Sequence, residues 1–439
     1  MLKKVLPLSG ILSLRFLGLF IVLPVLSAYA LHLKGATPML VGIIVGGYAL
    51  TQAVFQLPFG LMSDKIGRKP TLLIGLLIFF AGSVISAMST DIYMLMLGRF
   101  LQGAGAIGSV IVAMISDLVE EEIRGKAMAM MGGSIALSFA AAMVIGPVVG
   151  GHFGVSTLFW IAAVLALLAM LMLFTKVPNP PKIKHIYHNT SKTSDILKDQ
   201  NLLSMLVIDG MQKGLMTMAF VIIPIILTSP AFGWAKADLY KAYVPAMIMG
   251  LIAMGPAAIL GEKYNKPKQV FLLSIILFIA AFLLMGLTNS STMFVVGVVS
   301  FFLAFNMMEP LVQSMISKFA KVHQKGAALG IANTVAYFMT FIGGTAAGIL
   351  LDYSDREVLG IGTAAVALLW LLWTTFKLQN PILHSHLYLP QSHVDMDKLN
   401  GLEHEHIAEW YINESEKLVV VKYVSEHLSE EALKAKIVK

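Results

Sequence analysis

The sequence predicts an all-α membrane protein of twelve transmembrane helices in two pseudo-symmetric six-helix bundles, followed by a small α+β C-terminal domain. Hydrophobic residues make up 57% of the 439 residues and charged residues only 13%, which is about half of the roughly 25% typical of soluble domains. Twelve apolar runs reach the length of about 20 residues that crosses a bilayer. Lysines and arginines are concentrated in alternate loops between these runs, as the positive-inside rule requires.

The twelve predicted spans follow one another along most of the chain. The first run follows Lys3 and Lys4, as the apolar core of a signal peptide would, but it is too long for such a core and contains Arg15. We therefore predict a membrane span there. The spans lie near residues 7–30, 39–62, 70–88, 92–117, 126–150, 155–174, 202–228, 240–260, 269–287, 291–316, 326–351 and 358–377.

The placement of positive charge predicts the orientation in the membrane. Eighteen lysines and arginines fall in the N-terminal segment and every second loop, and four fall in the other loops. Such residues accumulate in cytoplasmic loops, so we expect a multi-pass protein of the inner (plasma) membrane with both termini in the cytoplasm. The net charge of +7 then reflects these loops, and no nucleic-acid partner is predicted. The chain has no cysteine, which excludes disulfides and cysteine metal sites.

An internal repeat divides the spans into two halves. Residues 114–116 recur as 315–317, and Arg124-Gly125 recurs as Lys325-Gly326, all at one spacing of 201 residues. Parallel repeats of this kind occur in transporters built from two six-helix halves. The longest polar break, rich in proline and lysine, lies between the halves. The predicted units are residues 1–178 and 201–380 for the halves, 179–200 for a cytosolic linker and 381–439 for a cytosolic domain.

The C-terminal segment has the pattern of a small α+β domain. We predict strands at His384–Leu389, Ala408–Ile412 and Leu418–Val424, and helices at Val394–Leu402 and from Ser429 to Ile437. The order β-α-β-β-α is that of a ferredoxin-like domain without its last strand. So small a domain has a marginal core, which leaves docking, self-association or ligand binding open.

Paired histidines in this segment raise the question of metal binding. His384/His386 and His404/His406 are two residues apart, which on a strand places both rings on one face. Ordinary surface histidines are the favoured interpretation, so we predict neither a metal site nor a cofactor.

A short charged segment, PFGLMSDKIGRKP at residues 58–70, joins the second and third spans. It places one carboxylate and three cations between two glycines, which is typical of a cytoplasmic hairpin. The pattern G-x-x-x-D-K-x-G-R-K resembles the loop between helices two and three of the major facilitator superfamily. The predicted gate residues are Gly60, Asp64, Gly67, Arg68 and Lys69, with Asp117 at the end of the fourth span.

Each gate residue has a physical role. Asp64 can accept hydrogen bonds from the N-terminus of a neighbouring helix, and the resemblance implies the helix that starts near Gly326. Arg68 can pair with Asp117, and Gly60 would let another helix approach closely. These contacts would lock the cytoplasmic side when the protein faces outward. A loop that only obeyed the positive-inside rule would need its cations, but neither Asp64 nor the glycines.

Two motifs inside spans also resemble motifs of this superfamily. GRFLQGAG, from Gly98 to Gly105, resembles its helix-four arginine motif, and Arg99 is interpreted either as a proton-handling residue or as a structural arginine bonded to backbone carbonyls. GPVVGG in the fifth span resembles the motif of proton-coupled drug antiporters, although the family's upstream glycine is Ala142 here. Generic small-residue packing is the alternative. The residues of this second motif are Gly146, Pro147, Gly150 and Gly151.

Charged residues within spans are the candidates for proton coupling. Asp209 and Lys213 are four residues apart and can pair on one helix face. Glu309 has no cation within a helical turn, so we predict Glu309 as the first titrating group and Asp209 as the second. Arg15 and Arg99 would tune them. The alternative is a Glu309 that pairs across the cavity with one of these arginines and serves only as a strut.

SLRFLGLFIVLPVL in the first span and FNMMEP in the tenth extend the resemblance over nearly the whole chain. The spans resemble proton-coupled drug antiporters of the superfamily, and with the added domain the chain is similar to the YajR-type transporters. The resemblance implies proton-driven efflux of small amphipathic compounds by alternating access, through a cavity that Met and Phe side chains would suit. Alternatives are a proton-coupled metabolite symporter and a ligand-sensing transporter regulated by its C-terminal domain. The implied partners are a small-molecule substrate, protons and the lipid bilayer, and no enzymatic activity or catalytic residue is predicted.

Overall fold

The computed structural model describes residues 2–119, 121–178, 193–320, 324–380, 384–401, 407–413, 418–424 and 428–438. Within these residues twelve helical spans are long and apolar enough to cross a membrane, the number predicted from the sequence. Their helices are Leu2–Phe20 and Leu23–Ala30 (span 1), Pro38–Ile66 (2), Arg68–Ala87 (3), Ile92–Ala104 and Gly108–Leu118 (4), Glu121–Phe153 (5), Val155–Thr175 (6), Gln200–Leu227 (7), Lys236–Leu239, Tyr240–Ala258 and Ile259–Lys263 (8), Pro267–Leu287 (9), Ser291–Phe319 (10), Lys325–Tyr353 (11) and Arg356–Lys377 (12). A short helix, Thr193–Lys198, precedes span 7.

Local sequence explains where several spans begin. The Thr37 hydroxyl accepts a hydrogen bond from the Leu40 amide, and the Asp91 carboxylate accepts two from the first turn of span 4. Between spans 2 and 3 a single residue, Gly67, makes the turn with φ of +99°. Only glycine adopts such a conformation without strain. The loop glycine is therefore required by the backbone.

Two spans of the first half are interrupted. Span 1 breaks at residues 21–22, just before Pro24, and span 4 breaks at residues 105–107. In span 4 the break lies where a Cβ on Gly105 would overlap the Gly75 carbonyl oxygen of span 3. Discontinuous spans are common where transporters build their sites. Both buried arginines, Arg15 and Arg99, lie in the helical segment that precedes such a break.

With twelve spans, the start of span 1 and the end of span 12 lie on one side of the bundle, which we call the termini side; the opposite side is the far side. The two halves meet closely at the far side. A Cβ on Gly42 of span 2 would overlap the Gly344 carbonyl oxygen of span 11, and a Cβ on Gly151 of span 5 would overlap Ala237 of span 8. The Ser27 hydroxyl donates a hydrogen bond of 3.1 Å to the Phe220 carbonyl oxygen. These contacts close the far side.

Towards the termini side the halves diverge. Among the described residues, a Cβ built on Gly132 or Gly133 of span 5 would have no atom within 4 Å, and the same holds for Gly326 and Gly330 of span 11. The halves are therefore in backbone contact at the far side, whereas these four positions at the termini side have open space beside them.

The C-terminal segment forms a separate small fold. Strands β1 (His384–Pro390), β2 (Ile407–Asn413) and β3 (Leu418–Val424) make an antiparallel sheet in the order β1-β3-β2. This order, with β3 between the other two, is that of a ferredoxin-like fold without its fourth strand, as predicted. Its core is formed by Leu387, Val394, Leu399, Val419, Val421, Tyr423, Leu433 and Ile437.

The helices of this domain differ slightly from the prediction. The first helix is Met396–Gly401 and not Val394–Leu402, because Asp395 caps it by accepting a hydrogen bond from the Lys398 amide, and Val394 instead bridges to Val438. The second helix is Glu430–Ile437, capped by Ser429 as expected. His404 and His406 lie outside the described residues, and within those residues no cluster suited to a metal is found.

We expect Gly42→Val to open the far side, because a side chain at this position collides with the backbone of span 11. The chain has no cysteine, so a single cysteine introduced into a far-side loop reports accessibility without background. Its labelling rate by a membrane-impermeant maleimide should rise several-fold in Gly42→Val. Gly132→Val, placed in open space, is the matched control and should leave the rate unchanged; equal rates in both variants would contradict the far-side closure.

Candidate transport site and gate

Arg68 at the start of span 3 connects three spans at the termini side. Its Nε lies 2.9 Å from Asp117 Oδ2 of span 4, so the predicted pairing of these residues is present. Its Nη1 lies 2.6 Å from Asp64 Oδ1 and 2.5 Å from the Ser63 hydroxyl oxygen, both at the end of span 2. Charge-assisted bonds of this kind are stronger than neutral ones. Arg68 therefore holds the ends of spans 2, 3 and 4 together.

Two other contacts, which were expected when the cytoplasmic side is locked, are not made in this conformation. The Asp64 side chain is 61% exposed, and within the described part of the chain it makes no hydrogen bond to the helix start near Gly326. The halves have diverged at this side, which separates the two groups. A Cβ on Gly60 would lie 3.8 Å from the Ser109 hydroxyl, an ordinary contact, so no close helix approach requires glycine there. Lys69 is half-buried.

The second half has a corresponding ion pair that the sequence analysis missed. Glu262, at the end of span 8, bonds to Lys318 and to the Ser314 hydroxyl of span 10. The repeat spacing of 201 residues places Lys318 at the position of Asp117, so the signal was available in the sequence. The two pairs have opposite arrangements of charge. In the first half the loop between two spans supplies the cation, Arg68, and in the second half the end of span 8 supplies the anion, Glu262. Each half thus braces its own termini-side end.

Two arginines of the first half, Arg15 and Arg99, are completely buried. Arg99 Nη1 donates to Gln102 Oε1 at 2.8 Å, its Nε lies 3.4 Å from the Ile44 carbonyl oxygen, and its guanidinium lies 4.8 Å from the centre of the Tyr48 ring. Arg15 Nη2 contacts Gln52 Oε1 at 3.3 Å. Among the described residues, two donors of Arg15 and one of Arg99 have no partner. Both cations are therefore fixed in place with hydrogen-bonding capacity left over.

The charged residues of the second half pair differently from the prediction. Lys213 Nζ lies 2.6 Å and 2.8 Å from the two carboxylate oxygens of Glu309, which also accept a bond of 3.0 Å from the Gln212 amide. Glu309 thus has a cation partner after all, because the long Lys213 side chain of span 7 reaches span 10. Sequence distance along one helix did not reveal this contact.

Asp209 consequently lacks the partner that the sequence suggested. It is 1% exposed, and neither carboxylate oxygen has a hydrogen-bond partner among the described residues. Lys213 and Glu309 are near enough to act on it electrostatically. Of the two candidates, Asp209 and not Glu309 is therefore buried without a hydrogen-bond partner among the described residues.

The motif in span 5 packs against both halves. A Cβ on Gly146 would overlap the Ile21 carbonyl oxygen at the break in span 1, and one on Gly150 would lie 2.7 Å from Leu158 Cδ1. Gly151 meets Ala237 of span 8, as described above. The helix Glu121–Phe153 continues through Pro147. The close packing expected of these glycines is present, and it lies at the closed far side.

Two six-span halves that meet around buried ionisable groups are the architecture of a secondary transporter. The sequence profile of the Major Facilitator Superfamily matches residues 8–344 and 214–387. The chain belongs to this superfamily. It is a multi-pass membrane transporter of small molecules, and not an enzyme.

The chain is also similar to individual members of this superfamily. Inner membrane transport protein YajR of Escherichia coli (strain K12) is 38% identical over 430 residues, which cover 94% of this chain and 92% of that protein. Multidrug resistance protein 2 of Bacillus subtilis (strain 168) is 25% identical, covering 77% and 86%. The crystal structure of a D-xylose-proton symporter aligns with a TM-score of 0.71 at 14% identity, over 86% of this chain and 98% of that one. The resemblance to YajR-type transporters of this superfamily is confirmed, and the symporter supports the fold alone.

Arg68→Ala and Asp117→Ala should each lower the transport rate, and the double variant should be little worse than Arg68→Ala, because Arg68→Ala already removes the contact with Asp117. The expected coupling energy is about 0.5–3 kcal/mol, the range for residues in contact. It is measured by a double-mutant cycle on transport rates and on thermal unfolding of the purified protein. Lys65→Ala, an exposed cation of the same loop, is the control. Strictly additive losses would show that the contact between Arg68 and Asp117 does not contribute to transport.

Proposed function

We propose that this protein exports small amphipathic, drug-like compounds across the inner membrane by alternating access, driven by protons that flow in the opposite direction. The observation that carries the proposal is Asp209, a carboxylate buried in the transmembrane core without a partner among the described residues. The names of relatives, an inner membrane transport protein and a multidrug resistance protein, support both the location and the substrate class.

The charge distribution indicates that the termini side of the bundle faces the cytoplasm. Lysines and arginines outnumber those of the opposite loops by 18 to 4 on the termini side, which is the cytoplasmic side under the positive-inside rule. The far side, closed by Gly42 and Gly151, then faces the periplasm. In this orientation the conformation is inward-facing, ready to take substrate from the cytoplasm. The exposed Asp64 would meet the start of span 11 only after the halves close there.

A bound proton would neutralise the buried Asp209 carboxylate. An ionised carboxylate at the centre of a span is disfavoured by about 2.5–3.5 kcal/mol on insertion scales, and a partner or a bound proton removes most of this cost. Because no hydrogen-bond partner is present among the described residues, we infer that Asp209 holds a proton in this conformation.

Lys213 would link the protonation of Asp209 to a change in the contacts between spans. It lies one helical turn from Asp209, within reach of it, but bonds to Glu309 in this conformation. When Asp209 loses its proton, we propose that the Lys213 ammonium moves towards it and releases Glu309. Glu309 is 37% exposed, so it can re-form hydrogen bonds with water. Proton release would thereby loosen the connection between spans 7 and 10.

An aromatic cluster between the halves supports an apolar substrate. The Phe139 ring of span 5 lies 5.2 Å from the ring of Phe20, 6.0 Å from that of Phe220 and 5.7 Å from that of Phe305. The first two rings belong to the first half and the last two to the second. Aromatic faces bind planar and cationic amphipathic compounds. The cluster lies where a substrate shared by both halves would bind.

Asp209→Asn should abolish uphill transport while it preserves substrate binding, because asparagine mimics the protonated, neutral side chain. In proteoliposomes with an imposed pH gradient, accumulation of tetraphenylphosphonium or ethidium should fall by at least about tenfold, an effect of about 1.4 kcal/mol. Exchange of the labelled compound without a gradient should persist. Both assays use the same reconstituted protein.

Glu309→Gln should give a smaller defect, since it removes the Lys213 contact but not the proton. Asp352→Asn, an exposed carboxylate near the far end of span 11, is the control and should behave like the unchanged protein. Full pH-driven accumulation in Asp209→Asn would refute the coupling role. Failure of the unchanged protein to move any amphipathic probe would refute the substrate class, and a metabolite symporter would then be the better description.

Phe139→Ala should weaken binding of aromatic probes by about tenfold, because the loss of one aromatic contact is worth about 0.5–1.5 kcal/mol beyond the area it buries. The dissociation constant is measured by scintillation proximity with the radiolabelled probe. Phe153→Ala in the same span, where the ring is exposed at the far end, is the matched control. An unchanged constant in Phe139→Ala would exclude the cluster from the substrate site.

The C-terminal segment fits a separate cytosolic unit. The core residues of its sheet share no member with the core of the membrane bundle among the described residues. We therefore propose the division into residues 1–178, 179–200, 201–380 and 381–439. Self-association or ligand binding by the last unit remains a proposal that the transport assays above do not require.

A further inference from the structure

We propose that a groove between spans 7 and 12 is a binding site for an anionic phospholipid, with one acyl chain in the groove and the head group at the termini side. The groove has a volume of about 250 Å³. All of its lining side chains are apolar or aromatic. They are Val207, Met211, Val366, Leu369, Trp370 and Trp373.

The internal repeat allows the groove to be compared with the equivalent position in the first half. FIVLPVL of span 1 recurs in span 7 as FVIIPII, with Pro24 matching Pro224 at a spacing of 200 residues. Lys176, just after span 6, matches Lys377 at the end of span 12, at a spacing of 201. Spans 7 and 12 are therefore the counterparts of spans 1 and 6, and residue pairs can be compared directly.

In the first half the equivalent helices are in direct contact. A Cβ on Gly18 of span 1 would lie 3.1 Å from Ala162 Cβ of span 6. The corresponding pair in the second half is Met218 and Thr363, whose Sδ and Oγ1 atoms lie 3.3 Å apart. Two larger side chains thus stand between spans 7 and 12 where a glycine and an alanine meet in the first half. The wider separation opens the groove on the termini side of this contact.

The open wall of the groove faces the membrane. Leu369 is 67% exposed and Val366 is also exposed, and in a spanning helix such side chains contact acyl chains. Val366, Leu369, Trp370 and Trp373 follow the i, i+3, i+4, i+7 spacing, so they form one continuous face of span 12. An apolar channel along one helix face matches the shape of an acyl chain.

Cations lie where the head group would be. Lys377 is exposed, and it lies on the same face one turn beyond Trp373. Lys268 of span 9 reaches this end of span 12, with its Nζ 2.8 Å from the Thr375 carbonyl oxygen. At 1.5 Å per residue, Lys377 lies about 6 Å beyond Trp373 along the helix axis. A lipid whose acyl chain lies in the groove would therefore place its phosphate near these lysines, and basic residues at a membrane surface favour anionic lipids.

Native mass spectrometry of the full-length protein tests this site with phosphatidylglycerol as the probe. The unchanged protein should retain one phosphatidylglycerol molecule at lipid concentrations that strip the others. Leu369→Trp, which fills the groove, should weaken this binding at least tenfold. Its matched control is Leu168→Trp, the counterpart position on span 6, which is also exposed and should have no effect. Equal lipid binding by these two variants would overturn the proposal.

A further variant tests the head-group contact. Lys377→Gln should reduce the preference for phosphatidylglycerol over phosphatidylethanolamine several-fold, with the fold unchanged by size-exclusion chromatography and circular dichroism. If the unchanged protein shows no such preference, or if Lys377→Gln retains it in full, the groove holds only bulk lipid and the proposal is wrong.

Discussion

A carboxylate buried in a membrane-spanning core must be neutralised, and the arrangement of the second half follows from this constraint. Asp209 has no hydrogen-bond partner among the described residues, while Lys213, one turn away on the same span, bonds to Glu309. Since either a proton or the lysine can neutralise Asp209, the three residues have two alternative arrangements. A transporter that couples protons to movement needs an element with two arrangements of this kind.

The bracing contacts determine where movement can occur. Arg68 joins the ends of spans 2, 3 and 4, and the Glu262–Lys318 pair joins spans 8 and 10. Each set of contacts lies within one half, so neither has to break when the halves move relative to each other. The contacts that must break are those at the far side, where Gly42 and Gly151 allow the backbones to touch. Small residues suit such an interface because they pack closely without interlocking.

Much of the fold was predictable because membrane burial imposes a regular requirement on length and polarity. Twelve spans, the tight turn at Gly67 and the strands of the C-terminal sheet follow from local sequence. The Arg68–Asp117 pair was also predictable, because a charged loop and a charged helix end lie on one side. The partner of Lys213 was not, since helical spacing points to Asp209 and only the packing of span 7 on span 10 brings Glu309 closer. The gap between Asp64 and Gly326 depends on conformation, which a sequence pattern does not specify.

The proton on Asp209 is the central claim, and infrared difference spectroscopy during a pH titration tests it without any knowledge of the substrate. The unchanged protein should show the carbonyl stretching band of a protonated carboxyl group, which disappears as the pH rises. This band should be missing in Asp209→Asn and retained in Glu309→Gln. A band of equal intensity in Asp209→Asn, or its loss only in Glu309→Gln, would contradict the account and return Glu309 to the role of proton carrier.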